Sequence, residues 1–140
     1  MTAKEFLSQA WEIDRRIENR IEERERLAAR LEAGRSANLD GMPRGGRFDW
    51  TNAADRIVEM DAAIAGEISR LCAIKRQVNS AIDAVEDSRL RRILELRYRN
   101  YMSWERIAEV TSYDSRHVRR LHGEALLCVK VPQDAPAENL

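Results

Sequence analysis

Glycine and proline are scarce in this sequence, with six and three residues among 140. Both residues interrupt regular helices, and sandwiches and barrels need many of them in their turns. Aromatic residues make up only 6% of the chain, whereas charged residues make up 34%. A chain of this length can form one domain or two small modules, and it leaves little material for a large enzymatic cleft. We therefore predict an all-α fold made of long helices.

Cysteine and long apolar runs are also scarce. Cys72 and Cys128 are too few and too isolated for a disulfide framework. Both lie in apolar helical rows, which predicts reduced thiols packed in the core. No apolar run approaches the roughly 18 residues that a membrane span needs, and the N-terminal residues lack a signal-peptide core. We expect a cytoplasmic protein that does not contact a membrane.

The sequence has no excess of charge of either sign, because 24 basic residues balance 24 acidic ones. The net charge therefore gives no reason to expect a nucleic-acid partner. The distribution of charge is uneven, however. Residues 88–130 contain ten basic and five acidic side chains, a local net charge of +5. A compensating negative charge lies elsewhere, so any attraction to a polyanion belongs to this C-terminal segment.

The N-terminal half shows two long helical patterns. Apolar residues recur at steps of three and four from Thr2 to Ala33, which predicts one amphipathic helix that ends at Gly34. The glycine-rich residues 34–50 predict a loop, in which residues 44–47 (Arg-Gly-Gly-Arg) either connect the helices or contact a phosphate or partner. Asp49 or Thr51 would cap the next helix.

The second long pattern is a seven-residue apolar repeat between Thr51 and about Glu86. A repeat sustained over four heptads predicts coiled-coil-like packing. The helix could fold back on the first helix as an antiparallel hairpin, or pair with a second copy of the chain. We predict both, so that residues 1–86 form a hairpin and an oligomerisation region of a homodimer. The row that carries this prediction is Ile57, Ile64, Leu71, Val78 and Val85.

Three shorter helices are predicted in residues 87–130, which we assign to a second domain. Asp87 or Ser88 would cap a helix that ends near Asn100, with Leu90, Ile93, Leu94 and Tyr98 facing inward. Ser103 would cap the next helix and Asp114 the last one, with a polar turn between them. This order predicts a helix-turn-helix closed by a preceding helix. The proline-containing residues 131–140 predict a disordered tail.

The last helix combines an apolar face with a basic one. Val118, Leu121 and Ala125 recur on one side, which leaves the basic side chains on the other. Arginine can hydrogen-bond to guanine edges or to phosphates, and the first turns of a recognition helix enter the major groove. We expect Arg106 and Arg99 to meet phosphates. The predicted contacts of the last helix with double-stranded DNA are Ser115, Arg116, His117, Arg119 and Arg120.

Catalytic and metal-binding patterns are missing from the sequence. His117 and His122 are five residues apart, which places them on different faces of one helix. No nucleophile stands near a base in a recognisable motif, and the glutamates alternate with arginines on solvated faces. We therefore expect no enzyme, no metal and no cofactor. Trp104 and Tyr98 could stack on bases, but their positions favour packing in the core of the small domain.

The segment from about Arg89 to Val129 resembles region 4 of bacterial sigma factors. LELRYRN ends the preceding helix, SWERIAEV takes the place of the first motif helix, and YDSRHVRRLHGEAL takes the place of the recognition helix. Together with the loop MPRGG at residues 42–46, the chain is similar to small phage and prophage late-transcription regulators of the ArpU and RinA type. Ser112 departs from the pattern, because many such turns carry glycine there. Asp114 departs too, since serine is common at that position.

The resemblance implies a DNA-binding transcription regulator in the cytoplasm of a bacterial host. Its C-terminal module would read a promoter or operator, and its helical N-terminal half would dimerise or contact host RNA polymerase. Two alternatives remain. The chain could be a small terminase-like subunit for DNA packaging, which also combines a helix-turn-helix with an oligomerising hairpin. It could also hold RNA polymerase without touching DNA.

Overall fold

The structure is a computed structural model that describes residues 1–39 and 50–133, with side chains described for residues 1–34 and 51–133. All regular elements in these ranges are helical, which confirms the all-α class. No described helix is both long and apolar enough to cross a membrane. The elements are α1 (Ala3–Leu39), α2 (Trp50–Asp83), α3 (Ser88–Leu94), a π-helical turn (Glu95–Arg99), α4 (Trp104–Thr111) and α5 (Ser115–Cys128).

The long N-terminal helix α1 begins with a reciprocal cap. The backbone N–H of Thr2 donates to Glu5 Oε2 at 2.8 Å, and the N–H of Glu5 donates to Thr2 Oγ1 at 3.2 Å. This capping box satisfies two amides of the first turn. The predicted end at Gly34 is wrong, because α1 continues to Leu39. One glycine costs a helix about 1 kcal/mol, and the next five residues contain no proline that would end it.

The second helix begins one residue earlier than predicted. Thr51 is not its cap, because α2 already includes Trp50, and Asp49 lies outside the described residues. The helix ends at Asp83, three residues before the predicted end, and the N–H of Val85 donates to the carbonyl of Ile82 at 3.0 Å. Residues 40–49 and 134–140 lie outside the described ranges. The predictions for residues 44–47 and for most of the tail concern those residues.

The chain forms two compact units. The two-helix unit, Ile13–Arg70, contains most of α1 and the first part of α2. Here Arg24 Nε lies 2.8 Å from Asp61 Oδ1, whereas Arg16 and Arg20 each lie 3.6 Å from Glu67 Oε1. Later residues of α1 therefore pair with earlier residues of α2, so the two helices run antiparallel.

The five-helix unit comprises Met1–Glu12 and the described residues from Leu71 onward. It thus takes the first turns of α1 and the last turns of α2 together with α3, α4 and α5. Helix α3 packs on α5, and α4 packs on α5 and on the π-helical turn. The largest fully buried side chains of this unit are Phe6, Leu7, Ile74, Val78, Ile82, Ile93, Leu94, Ile107, Val118 and Leu121.

The heptad row of α2 packs within the single chain along most of its length. Ile57 is half-buried and Ile64 is buried in the two-helix unit. Leu71, Val78 and Val85 are buried in the five-helix unit, Val78 with only 1% of its surface exposed. These side chains therefore contribute to the core of one chain, and their role in oligomerisation stays a prediction.

The two cysteines lie differently from the prediction. Both are free thiols, and both are exposed rather than packed. Cys72 lies one helical turn after Ile68, and both side chains are exposed. Cys128 is the last residue of α5. An apolar helical row therefore does not establish burial when the helix packs on only one side.

Candidate nucleic-acid interface

The ends of α4 and α5 are fixed by side-chain caps. Ser103 Oγ accepts a hydrogen bond from the N–H of Arg106 at 3.1 Å, and Asp114 Oδ1 accepts one from the N–H of His117 at 2.7 Å. Both caps confirm the sequence-based prediction. The Asp114 carboxylate is thus directed into the first turn of its own helix. Each cap satisfies an amide that has no partner within its helix.

The turn between these helices requires an unusual backbone conformation. Ser112 has φ 60° and ψ 21°, in the left-handed region where glycine is favoured. Many turns of the family that the sequence resembles carry glycine at this position, and the backbone of Ser112 adopts the left-handed conformation that glycine favours. Thr111 Oγ1 donates to the carbonyl of Ile107 at 2.6 Å and accepts from the N–H of Tyr113 at 3.4 Å. These bonds satisfy polar groups where the helical pattern is interrupted.

Helix α5 separates buried and exposed residues. Val118, Leu121 and Ala125 are buried at 2% exposure or less. The side chains of Ser115, Arg116, Arg119 and Arg120 are exposed, and His117 is half-buried. The structure therefore brings these five predicted residues together in the first two turns of α5.

Two arginines of this basic face have no internal counter-ion. Within the described parts of the chain, Arg116 and Arg119 make no hydrogen bond or ion pair. Asp114 is close to them in sequence, but its carboxylate accepts from the helix amide of His117. An exposed guanidinium without a partner can bind an external anion without first releasing an internal one.

Arg120 is held in place by its neighbours on the same helix. Its Nη2 lies 2.8 Å from His117 Nδ1, and the His117 ring meets the Tyr113 ring edge-on with 4.6 Å between centroids. A guanidinium only donates hydrogen bonds, so Nδ1 is the acceptor in this pair. The contact orients Arg120 along the exposed face while its other N–H groups stay available.

The two predicted phosphate contacts outside α5 both have intramolecular partners. Arg106 Nη1 lies 3.0 Å from Glu109 Oε2, and this ion pair is exposed on the surface of α4. Arg99 Nε donates to Asn79 Oδ1 at 2.8 Å, and its Nη2 lies 2.9 Å from Asp83 Oδ1. Arg99 therefore ties the π-helical turn to the last turns of α2, and its contacts do not direct it toward the basic face of α5.

An aromatic cluster packs behind α5. The Tyr98 hydroxyl lies 2.7 Å from His122 Nε2, the Trp104 ring meets the His122 ring edge-on at 4.6 Å, and Arg97 lies 4.4 Å above the Trp104 ring. Burial lowers the pKa of His122 to about 4 and raises the pKa of Tyr98 to about 12. Both groups are therefore uncharged at neutral pH. Tyr98 is buried as predicted, whereas Trp104 is half-buried.

A basic cavity lies beside the turn, at residues that no motif in the sequence marks as a site. The cavity has a volume of about 320 Å³ and lies between α3 and the residues that join α4 to α5. Its lining residues are Ser88, Arg89, Arg92, Ile93, Val110, Thr111 and Tyr113. The signal in the sequence is the spacing of Arg89 and Arg92, which places both on one side of α3. Only the fold shows that this side faces the turn.

Comparison of the chain with models of protein families, with curated proteins and with solved structures finds no match.

Proposed function

We propose that this protein is a DNA-binding transcription regulator of phage type, in which α4, the Ser112 turn and α5 act as a helix-turn-helix. The observation that carries the proposal is the basic face at the start of α5. Arg116, Arg119 and Arg120 are exposed there, and the first two have no partner in the described chain. The resemblance to sigma factor region 4 and to phage regulators of the ArpU and RinA type is consistent with this function.

The geometry of α5 suits a major groove. The groove is about 12 Å wide, and a helix with its side chains is about 10–12 Å in diameter. The buried face of α5 packs on α3, so the helix can enter a groove only with its arginine face forward. Arginine can bind guanine O6 and N7 with two hydrogen bonds, or brace a phosphate. The caps and the turn fix the direction in which that face points.

The charge distribution supports the same function. The whole chain is neutral, so it has no general attraction to polyanions, but residues 88–130 carry a net charge of +5. A local positive field steers a duplex toward this segment of the chain. We propose no catalytic activity, because a regulator of this kind needs only to bind.

We further propose that the helical N-terminal half forms a homodimer or contacts host RNA polymerase. In the two-helix unit, Ile21, Val58 and Ile68 are large apolar side chains with 36%, 68% and 45% of their surface exposed. Among the side chains of this unit that the structure describes, the buried apolar ones are Ile13, Ile17, Ala53 and Ile64. A thin core beside exposed apolar side chains favours a partner that covers them.

The test is binding to the promoter region of a phage late operon, measured by fluorescence anisotropy and gel shift, with and without RNA polymerase. We expect the triple variant Arg116→Ala/Arg119→Ala/Arg120→Ala to bind more weakly, by about 1–3 kcal/mol for each arginine that hydrogen-bonds a base. The matched control Arg26→Ala/Arg56→Ala/Arg76→Ala removes three exposed arginines from α1 and α2 and should bind like wild type.

Equal affinity of the wild type and of the α5 triple variant would overturn the proposal. Binding that requires polymerase, and that the triple variant retains, would instead favour a polymerase-binding module. Native mass spectrometry adds an independent measurement, since a ring of eight or more copies would favour a packaging subunit.

A further inference from the structure

We propose that the cavity between α3 and the Ser112 turn is a phosphate subsite that takes one backbone phosphate of the duplex bound by α5. The inference rests on the proposed DNA-binding function and extends it to Arg89 and Arg92 of α3. In this inference, Arg89 and Arg92 position the duplex, whereas side chains of α5 recognise its base sequence.

The lining of the cavity suits a phosphodiester. Two arginines, Arg89 and Arg92, line it together with Ser88, Thr111 and Tyr113. Guanidinium groups bind phosphate through charge-assisted hydrogen bonds, and a serine hydroxyl can add another. The Thr111 hydroxyl already donates to the carbonyl of Ile107, so it contributes to the wall of the cavity and donates nothing to a phosphate. Small-ligand sites have volumes of about 300–1,000 Å³, so a cavity of about 320 Å³ can admit a phosphate with its sugar.

Three acidic residues stand next to a lining residue in sequence, and each has a partner. Glu109 pairs with Arg106, Asp114 caps α5, and Asp87 pairs with the lining residue Arg89. Asp87 Oδ1 accepts from the N–H of Arg89 at 2.9 Å, and its Oδ2 lies 3.4 Å from Arg89 Nη2. The backbone hydrogen bond from Arg89 lowers the pKa of this carboxyl group, which stays ionised and caps α3. Asp87 therefore pairs with Arg89, and the charge of Arg89 offsets that of Asp87.

Arg92 is the arginine of the cavity that has no partner among the described residues. It is exposed, and it makes no hydrogen bond or ion pair with any residue in the described ranges. It follows Arg89 by three residues, so the two side chains lie next to each other on α3. A phosphate that enters between them meets one guanidinium held by Asp87 and one that has no competing partner.

The position of the cavity matches a duplex docked on α5. Tyr113 lines the cavity and is two residues before Ser115, where α5 begins. Two residues span at most about 7 Å, so the cavity lies beside the start of the proposed recognition helix. When a helix fills the major groove, the sugar-phosphate strands pass along its flanks. One strand would therefore pass the cavity.

Arg89 and Arg92 are better placed for this task than the arginines that the sequence suggests. Arg99 would have to release Asn79 and Asp83, and Arg106 would have to release Glu109. Arg92 releases no such partner, and Arg89 is joined to Asp87 by a longer ion pair of 3.4 Å.

The test is the salt dependence of DNA binding by Arg89→Gln/Arg92→Gln, measured by fluorescence anisotropy on the promoter duplex and on an unrelated duplex. We expect affinity for both duplexes to fall about tenfold, with the ratio between them unchanged. The slope of log K against log salt concentration should become shallower by about 0.9, the value for one phosphate. The matched control Arg26→Gln/Arg56→Gln should keep the wild-type slope, and circular dichroism should show that both variants keep their helices.

The possible outcomes separate the two proposals. If the α3 variant keeps the wild-type affinity and slope while the α5 triple variant loses binding, the phosphate subsite is overturned and the proposed function stands. If the α3 variant loses only its preference for the promoter, Arg89 and Arg92 read bases, and the subsite is again overturned. If the wild type binds neither duplex, the proposed function fails and the subsite fails with it.

Discussion

The backbone at Ser112 stores strain that a single substitution can test. A left-handed conformation costs an L-residue about 1–2 kcal/mol, whereas glycine adopts it without steric cost. Ser112 is exposed and no described group hydrogen-bonds its side chain, so little is lost with the hydroxymethyl group. We expect Ser112→Gly to raise the free energy of unfolding by up to about 1 kcal/mol, after the entropy of the unfolded glycine is included. Urea denaturation measures this change.

The control at the same position is Ser112→Val. A β-branched side chain is a poor fit to positive φ, so we expect this variant to be less stable than wild type by about 1–3 kcal/mol. If valine were tolerated as well as glycine, the left-handed turn would not be a source of strain.

His122 makes the folded state sensitive to acid. Burial lowers its pKa to about 4 from the ordinary value of 6.5. As the pH falls through 6.5, the unfolded chain therefore takes up a proton before the folded chain does, and the folded state loses stability down to about pH 4. Because the ring is partly exposed, we expect a loss of about 1 kcal/mol between pH 7 and pH 5.

The comparison that isolates this effect is between wild type and His122→Gln, by thermal or urea unfolding at pH 7, 6 and 5. Glutamine does not titrate, so the variant should lose less stability than wild type over this range. Equal losses in both proteins would show that other groups cause the acid sensitivity.

Residue-scale rules explain part of the candidate interface and leave part of it unexplained. Ser103 and Asp114 could be predicted as caps because a short side-chain oxygen before an apolar row has a specific partner, the free amide of a first turn. The positive φ of Tyr101, 55°, could not be predicted, because an aromatic residue gives no local reason for that conformation. The fold imposes that conformation, since the N–H of Met102 donates to the carbonyl of Leu96 at 3.0 Å.

At the scale of the element, substitutions of the α5 cap test the stability of the helix separately from the proposed affinity for DNA. Asp114 accepts from the N–H of His117 at 2.7 Å, and its carboxylate adds a negative charge beside the basic face. Serine caps as well as aspartate, whereas alanine does not, so Asp114→Ala should cost about 1 kcal/mol of unfolding free energy and Asp114→Ser should cost little. Urea denaturation measures both.

The Asp114→Ser variant also tests whether the cap of α5 lies close to DNA phosphates. If α5 lies against DNA as proposed, Asp114→Ser should bind the duplex several-fold more tightly, because a charge that repels phosphates is removed. Unchanged affinity would place the duplex away from the start of α5. Anisotropy measured at low salt gives the clearest reading, since exposed charges are then least screened.

Helix existence could be predicted better than helix ends. The apolar periodicity of the long helices spans many turns, and tertiary packing then reinforces it. The end of α1 could not be read from Gly34, because a single glycine is a weak interruption. The π-helical turn Glu95–Arg99 was predicted as ordinary helix, because Leu96 and Tyr98 are apolar at acceptable helical positions. Its extra residue is set by contacts such as those between Arg99 and α2, which lie far apart in sequence.

At the scale of the whole molecule, α1 and α2 each contribute to both compact units. The first turns of α1 and the last turns of α2 belong to the five-helix unit. The sequence predicts a domain boundary at residue 86, where long helical patterns give way to short ones. That boundary does not reveal that the ends of α1 and α2 pack in the same unit as α3, α4 and α5. Phe6 and Leu7 are fully buried there, although the three short helices of this unit begin only at Ser88. Such long-range partners leave no local pattern.

The two-helix unit leads to a prediction about the assembly. Val58 and Ile68 lie along one side of α2 with the exposed Ala62 and Ala65 between them, and 68% and 45% of their respective surfaces are exposed. Because few large apolar side chains are buried among the described residues of this unit, we expect a second copy of the chain to cover this side. Light scattering should then give twice the chain mass of 16.2 kDa at micromolar concentration.

Val58→Asp/Ile68→Asp should return the protein to the monomer mass, since a charge buried at an interface without a partner is costly. Both side chains are exposed in the single chain, so we expect the variant to stay folded. Ser80→Asp adds a charge to the same helix at another exposed site and should leave the dimer intact.

A dimer would contribute two basic faces, and linked binding of both faces to neighbouring sites would raise the apparent affinity for DNA through effective concentration. The monomeric variant should therefore lose more affinity for a two-site duplex than for a one-site duplex, and a wild type that is itself monomeric would contradict the prediction.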